Sequence, residues 1–114
     1  MKKILSVLVF IGCLIICGEV KADSTVCASH ILVPTEMDAI KLKSQIKNYD
    51  DFKYYARIYS TCPSGRNGGS LGCFGKGQMV KPFEKAAFEG ELGEVSDPVK
   101  TQFGYHLLWI TDRY

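Results

Sequence analysis

Two rhythms of apolar spacing divide this chain into predicted elements. Residues Cys27 to Val33 read Cys-Ala-Ser-His-Ile-Leu-Val and stop at Pro34. Proline holds the residue before it in extended backbone, so this run predicts a strand closed by a turn. On period-two geometry Ala28, His30 and Leu32 share one face, and Ser29, Ile31 and Val33 the other. The spacing then changes. Ala39, Leu42, Ile46 and Tyr49 recur at 3, 4 and 3, one apolar stripe on a Lys-rich helix that reaches towards Asn48, with Thr35 and Asp38 in a capping arrangement. A second helix is expected from Asp50 or Asp51, either of which suits a cap, to about Tyr59, burying Phe52, Tyr55, Ala56 and Tyr59. Cys62-Pro63 breaks it.

Further on, Ser70 to Phe74 suits a short strand. Pro82 fits the first turn of a third helix, whose Phe83, Ala86, Ala87 and Phe88 face inward and which Gly90 ends. Leu92 to Lys100 is rich in turn residues, with at most a short strand. Phe103 to Thr111 carries apolar side chains on both parities, the pattern of a central strand covered on both faces. This order of elements predicts an α+β domain with a small, mostly antiparallel sheet.

Between the second and third helices lies a stretch with neither rhythm. From Gly65 to Gly77 the chain places six of its eleven glycines around Cys73, interleaved with Leu71 and Phe74 and followed by Met79. Glycine permits φ > 0 and close approach of a second chain, so the stretch fits an extended peptide or a phosphate.

Composition alters this picture mainly at the N-terminus. Met1-Lys2-Lys3 is basic, Ile4 to Cys17 is almost wholly apolar, and a small residue stands at Ala22. The run is shorter than the ~20 residues of a membrane-spanning helix and matches a secretory signal cleaved after Ala22; an uncleaved anchor, or lipidation at Cys13 or Cys17, are the alternatives. Residues 23–114 are then one domain, with export to a periplasm or the cell exterior and no membrane association in the mature form. The leader holds three of the fourteen basic and one of the twelve acidic side chains, leaving eleven of each sign. With no net charge and no Lys/Arg cluster, nucleic acid and anionic membrane surfaces are not expected partners. Cys27, Cys62 and Cys73 remain, one possible pair and one free thiol.

Two histidines, His30 and His106, fall in the first and last predicted strands and lie together if those strands pair. With a cysteine opening the glycine-rich stretch they suggest a site. A Cys–His nucleophile and a zinc site both suit these residue types, but there is no Cys-x-x-Cys, Cys62 and Cys73 are eleven apart, and Cys62 follows a helix C-terminus rather than sitting at the helix N-terminus that activates a nucleophilic thiol. The stretch also lacks the Lys-Ser/Thr ending of a nucleotide-binding loop. Neither a metal nor a cofactor is expected.

Taken together, Ser29-His-Ile-Leu-Val33, Tyr59-Ser-Thr-Cys-Pro-Ser-Gly65, Gly68-Gly-Ser-Leu-Gly-Cys-Phe-Gly-Lys-Gly-Gln-Met79, Pro82-Phe83 and Thr101-Gln-Phe-Gly-Tyr-His106 resemble the successive signature blocks of the parvulin-type peptidyl-prolyl cis/trans isomerases, in order and in spacing. The resemblance runs from about Cys27 to Arg113. It implies a parvulin-like (FKBP-like) four-stranded, bent antiparallel sheet surrounded by helices, and isomerisation of X-Pro bonds in exported or envelope proteins, without covalent chemistry. A weakly catalytic parvulin-fold binding module is the alternative, and a thiol hydrolase a distant third. By resemblance His30, Cys62, Thr101 and His106 are the polar catalytic residues, Leu71, Met79 and Phe83 form the cup for the proline ring, and Phe103 stands on its rim. The implied partners are proline-containing unfolded polypeptides, met by a monomer. Two positions depart from the family: Ser70 stands where aspartate is usual, and Pro34-Thr35-Glu36-Met37-Asp38 lacks the basic residues of the phosphoprotein-directed branch, so an uncharged residue before proline is expected. Cys27 and Cys73 pair as a disulfide if the strands that carry them are neighbours, leaving Cys62 free.

Overall fold

The computed structural model describes residues 23–114; the predicted leader, with Cys13 and Cys17, lies outside the described residues. Strand β1 (Thr25–Val33) is followed by helices α1 (Glu36–Gln45) and α2 (Tyr49–Tyr59) and a 3-10 turn (Pro63–Asn67). Then come β2 (Ser70–Gly75), α3 (Lys81–Glu89), β3 (Val99–Thr101) and β4 (Gly104–Arg113). The four strands form one antiparallel sheet in the order β2-β1-β4-β3. The first and last strands among the described residues are therefore the central pair, and the apolar run at the C-terminus takes the doubly covered position its pattern predicts.

Strand parity sorts the core into two clusters. Ile31, Val33 and Leu107 pack with Ala39, Leu42 and Ile46 of the α1 segment and Phe52 and Ala56 of α2. Val26, Ala28, Leu108 and Ile110 pack with Phe74, Phe83 and Ala87 on the α3 side. Leu107 and Leu108 are neighbours in sequence yet serve opposite clusters, as alternation along a strand requires. Burying a side chain such as Phe52, which is wholly covered, contributes roughly 1.5–3 kcal/mol.

The helix boundaries differ from the sequence reading, and caps explain why. Thr35 does cap α1, its hydroxyl accepting from the Asp38 N–H at 3.1 Å. But α1 ends at Gln45, three residues short of Asn48, because Asn48 is used to start α2: its Oδ1 accepts from the Asp51 N–H at 2.8 Å. Asp50 and Asp51 are thus first-turn residues set against the positive end of the helix dipole, not caps. On α2 only Phe52 and Ala56 are buried; Tyr55 is half-buried and Tyr59 is 52% exposed. On α3 Phe83 and Ala87 are buried, whereas Ala86 and Phe88 are half-buried, the Phe88 ring lying beneath the Lys76 ammonium. The turn-rich segment from Leu92 adds single bridges to β4 at Leu92 and Val95 before β3.

β1 and β2 pair with Cys27 opposite Cys73, and the two sulfurs are joined in a disulfide that spans 46 residues of sequence. Cys62 is the free cysteine among the described residues.

Candidate active site

The polar centre of the molecule is built across the two central strands. Register places His30 opposite Leu108 and His106 opposite Leu32, so the two histidines are diagonal neighbours on the α3 face of the sheet. Their Nδ1 atoms are 3.0 Å apart and the rings lie nearly parallel, centroids 5.1 Å apart. Phe83 from α3 meets both edge to face, at 5.5 and 5.1 Å. The remaining ring nitrogens are also engaged: His106 Nε2 lies 2.7 Å from Thr101 Oγ1, and His30 Nε2 lies 3.0 Å from Ser64 Oγ. Burial disfavours the charged form of both. His30 is pushed down to about 4 by burial and, secondarily, by the proximity of His106; His106 is lowered by burial. At neutral pH the pair is uncharged.

A close backbone approach holds this centre in place. The His30 N–H donates to the Gly69 carbonyl at 2.9 Å, and the Gly69 N–H to the Ser64 carbonyl at 2.9 Å. Gly69 has φ of 85°, and a Cβ there would sit 2.3 Å from the His30 carbonyl oxygen. This glycine is needed for contact with β1.

Beside the histidines opens a cavity of about 470 Å³. His30, His106 and Cys62 border it, Leu71, Met79 and Phe83 form apolar walls, and Phe103, 60% exposed, stands at the rim. No charged side chain lines it. Thr101 does not reach the cavity wall; it lies behind His106 and is tied to the site through that ring and the Phe103 N–H. Each element aims one wall. The turn after β2 places Met79, with the Gly75 N–H donating to Gln78 Oε1 at 3.2 Å and the Gly77 N–H to Glu84 Oε1 at 2.6 Å. Pro82 sits in the first turn of α3, and the next residue, Phe83, forms part of the cavity wall.

Sequence reasoning missed Leu32, Thr61, Pro63, Gln78 and Val80 on the cavity wall, and Ser64 behind it. Leu32 shares strand parity with His30, a signal sufficient to find it. Ser64 sits in a 3-10 turn whose side-chain directions follow no pattern readable in the sequence.

Comparison with known proteins agrees with this geometry. Residues 30–112 match the family described as "Rotamase: PPIC-type PPIASE domain". The foldase protein PrsA of Geobacillus kaustophilus (strain HTA426) is 52% identical over 87 residues, covering 75% of this chain and 31% of the relative. Among solved structures, PrsA from Bacillus cereus superposes with a TM-score of 0.73 at 41% identity, covering 81% of this chain and 36% of the other. Pin from the psychrophilic archaeon Cenarcheaum symbiosum gives 0.69 at 41% identity, covering 84% of this chain and 99% of the other. The chain thus spans about a third of the length of the PrsA relatives and nearly all of the archaeal one. With the four-stranded sheet, the paired histidines and the matched residues 30–112 in agreement, the chain belongs to the PPIC-type (parvulin) peptidyl-prolyl isomerase domain family.

Proposed function

We propose that this protein accelerates cis/trans isomerisation of X-Pro bonds in exported polypeptides as they fold, acting as a monomer and without covalent chemistry. The observation that carries the proposal is the uncharged cavity, apolar on the Leu71–Met79–Phe83 side and bordered by Cys62 and the histidine pair. Unaided isomerisation takes ~10–100 s against a barrier of ~18–20 kcal/mol set by amide resonance. Reaching milliseconds requires roughly 10⁴-fold acceleration, about 5–6 kcal/mol. A planar amide is strongly dipolar and well hydrated, whereas the twisted one has lost resonance and is less dipolar. An apolar cup that grips the ring and excludes water therefore favours the twisted form selectively, and only that difference speeds the reaction. Cys62 supplies an S–H donor at the edge of the cup for the carbonyl as it turns. The histidines act from behind: each ring nitrogen is already hydrogen-bonded within the protein, so they shape the floor rather than bind the carbonyl.

The absence of charge on the cavity wall supports clients with an uncharged residue before proline. The basic, apolar leader and the relatives named foldase support export. A protease-coupled assay on an Ala-Leu-Pro-type peptide tests the reading. Faster isomerisation, no faster with a phosphoserine-proline peptide than with its plain counterpart, is the expected result. Peptide binding without acceleration indicates a binding module instead.

A further inference from the structure

We propose that Ser64 is a positioning residue that fixes the tautomers of the histidine pair and turns the Cys62 S–H toward the cleft. Its role for catalysis rests on the isomerase reading above, but its effect on the histidines does not.

Six groups form one line of hydrogen bonds. The Phe103 N–H donates to Thr101 Oγ1 at 3.2 Å, Thr101 Oγ1 and His106 Nε2 are 2.7 Å apart, and the two histidine Nδ1 atoms are 3.0 Å apart. His30 Nε2 and Ser64 Oγ are 3.0 Å apart, and Ser64 Oγ lies 3.4 Å from Cys62 Sγ. A neutral imidazole has one N–H and one bare nitrogen, so the line runs in one of two directions. Its one fixed end decides between them, because a backbone N–H only donates.

Starting from Phe103, the Thr101 hydroxyl donates to His106 Nε2, His106 Nδ1–H to His30 Nδ1, His30 Nε2–H to Ser64 Oγ, and the Ser64 hydroxyl to Cys62 Sγ. Every N–H and O–H of the line has an acceptor, and only the weak S–H of the half-buried Cys62 is left over. In the reverse direction Thr101 Oγ1 receives both the Phe103 N–H and the His106 Nε2–H, and its own hydrogen has no other partner among the described residues. Thr101 is 8% exposed, and a buried hydroxyl without a partner is the more costly arrangement. The first direction is therefore selected: His106 carries its hydrogen on Nδ1 and His30 on Nε2.

Ser64 is the acceptor that makes this possible. It terminates the histidine pair and passes the direction on to Cys62, whose sulfur accepts and whose own hydrogen is left for a group in the cleft. The 3-10 turn and the Gly69 N–H to Ser64 carbonyl bond hold it there.

The test is long-range ¹H–¹⁵N spectroscopy of the histidine rings at pH 7.5 in the full chain, without substrate. The wild type is expected to show His30 as the Nε2–H tautomer and His106 as the Nδ1–H tautomer. In Ser64→Ala both rings leave those single-tautomer positions while the backbone amide spectrum keeps its dispersion. In that variant kcat/KM falls about three- to tenfold, the size of one hydrogen bond, mainly through kcat. Ser64→Thr returns both signatures. The opposite tautomer pair in the wild type overturns the proposal, even if the alanine variant does not fold. So do histidine resonances that Ser64→Ala leaves unmoved. A wild type with the expected tautomers and no isomerase activity leaves Ser64's structural role intact and instead removes the functional reading.

Discussion

At the scale of single residues, the protein places two titratable groups where neither is free to titrate cheaply. His30 is 5% exposed, and its pKa lies at about 4, against 6.5 for an unburied imidazole. The unfolded chain therefore binds a proton at a higher pH than the folded one does. Between pH 6.5 and 4 the unfolded state holds more protons, so stability is full above 6.5 and declines as pH falls through that window. For His30 the loss amounts to about 3 kcal/mol at most, at 1.36 kcal/mol per pH unit. His106 adds loss in the same direction. Urea titrations at pH 7.5, 6, 5 and 4 are expected to show this decline, and His30→Gln is expected to flatten it relative to the wild type. A variant with the same slope as the wild type places the proton uptake elsewhere. Cleft activity follows the same logic: a proton added to His30 goes on Nδ1, opposite the His106 Nδ1–H, and one added to His106 goes on Nε2, opposite the Thr101 hydroxyl, so either makes the line of hydrogen bonds reorient.

At the scale of elements, two glycines of the same stretch separate conformational strain from contact. Gly69 and Gly72 have φ of 85° and 68°, so a side chain strains both. At Gly72 nothing lies within 4 Å of a built Cβ, whereas at Gly69 the His30 carbonyl oxygen would be 2.3 Å away. Gly72→Ala is expected to cost about 1–2 kcal/mol. Gly69→Ala should cost about 2–4 kcal/mol, and lower isomerase activity besides, because β1 must retreat and carry His30 with it. Equal losses in thermal unfolding of the two variants would show that the contact with β1 is unimportant. The same elements show what sequence can and cannot convey. Alternation along Cys27–Val33 and the apolar run after Phe103 identify the central strands, and with them the neighbourhood of His30 and His106. Tyr55 and Tyr59 fall on the apolar stripe of α2 by spacing but remain partly or largely exposed, since a tyrosine counts as apolar in a pattern while its hydroxyl keeps it at the water boundary. The cap falls on Asn48 and not on Asp50 or Asp51 because asparagine and aspartate cap equally well and only the register of the preceding helix chooses between them. Ser64 carries no periodic signal at all. It acts through a chain of hydrogen bonds that exists only once strands far apart in sequence have paired.

At the scale of the whole molecule, charge is balanced and lies away from the cavity. Residues 23–114 hold eleven basic and eleven acidic side chains, and none of them lines the cavity. Ion pairs such as Lys53–Asp50, 3.4 Å apart, lie on the surface, where salt screens them and they contribute little. Under the proposed function, association with a client is then not expected to be steered by a net field. The apolar cup also gains strength from burial, a term that moderate NaCl changes little. For an uncharged Ala-Leu-Pro-type peptide, kcat/KM is expected to change less than about twofold as NaCl rises from about 0.02 to about 0.5 M, a range over which the Debye length shrinks from beyond 20 Å to under 5 Å. Fluorescence-based progress curves at several salt concentrations measure this directly. A severalfold fall with salt would mean that a charged surface outside the cavity takes part in holding the peptide, and substituting Lys41 or Lys100, one at a time, would then locate it. A flat response, together with a fall in rate when Leu71 or Met79 is cut back to alanine, attributes client recognition to the cup itself.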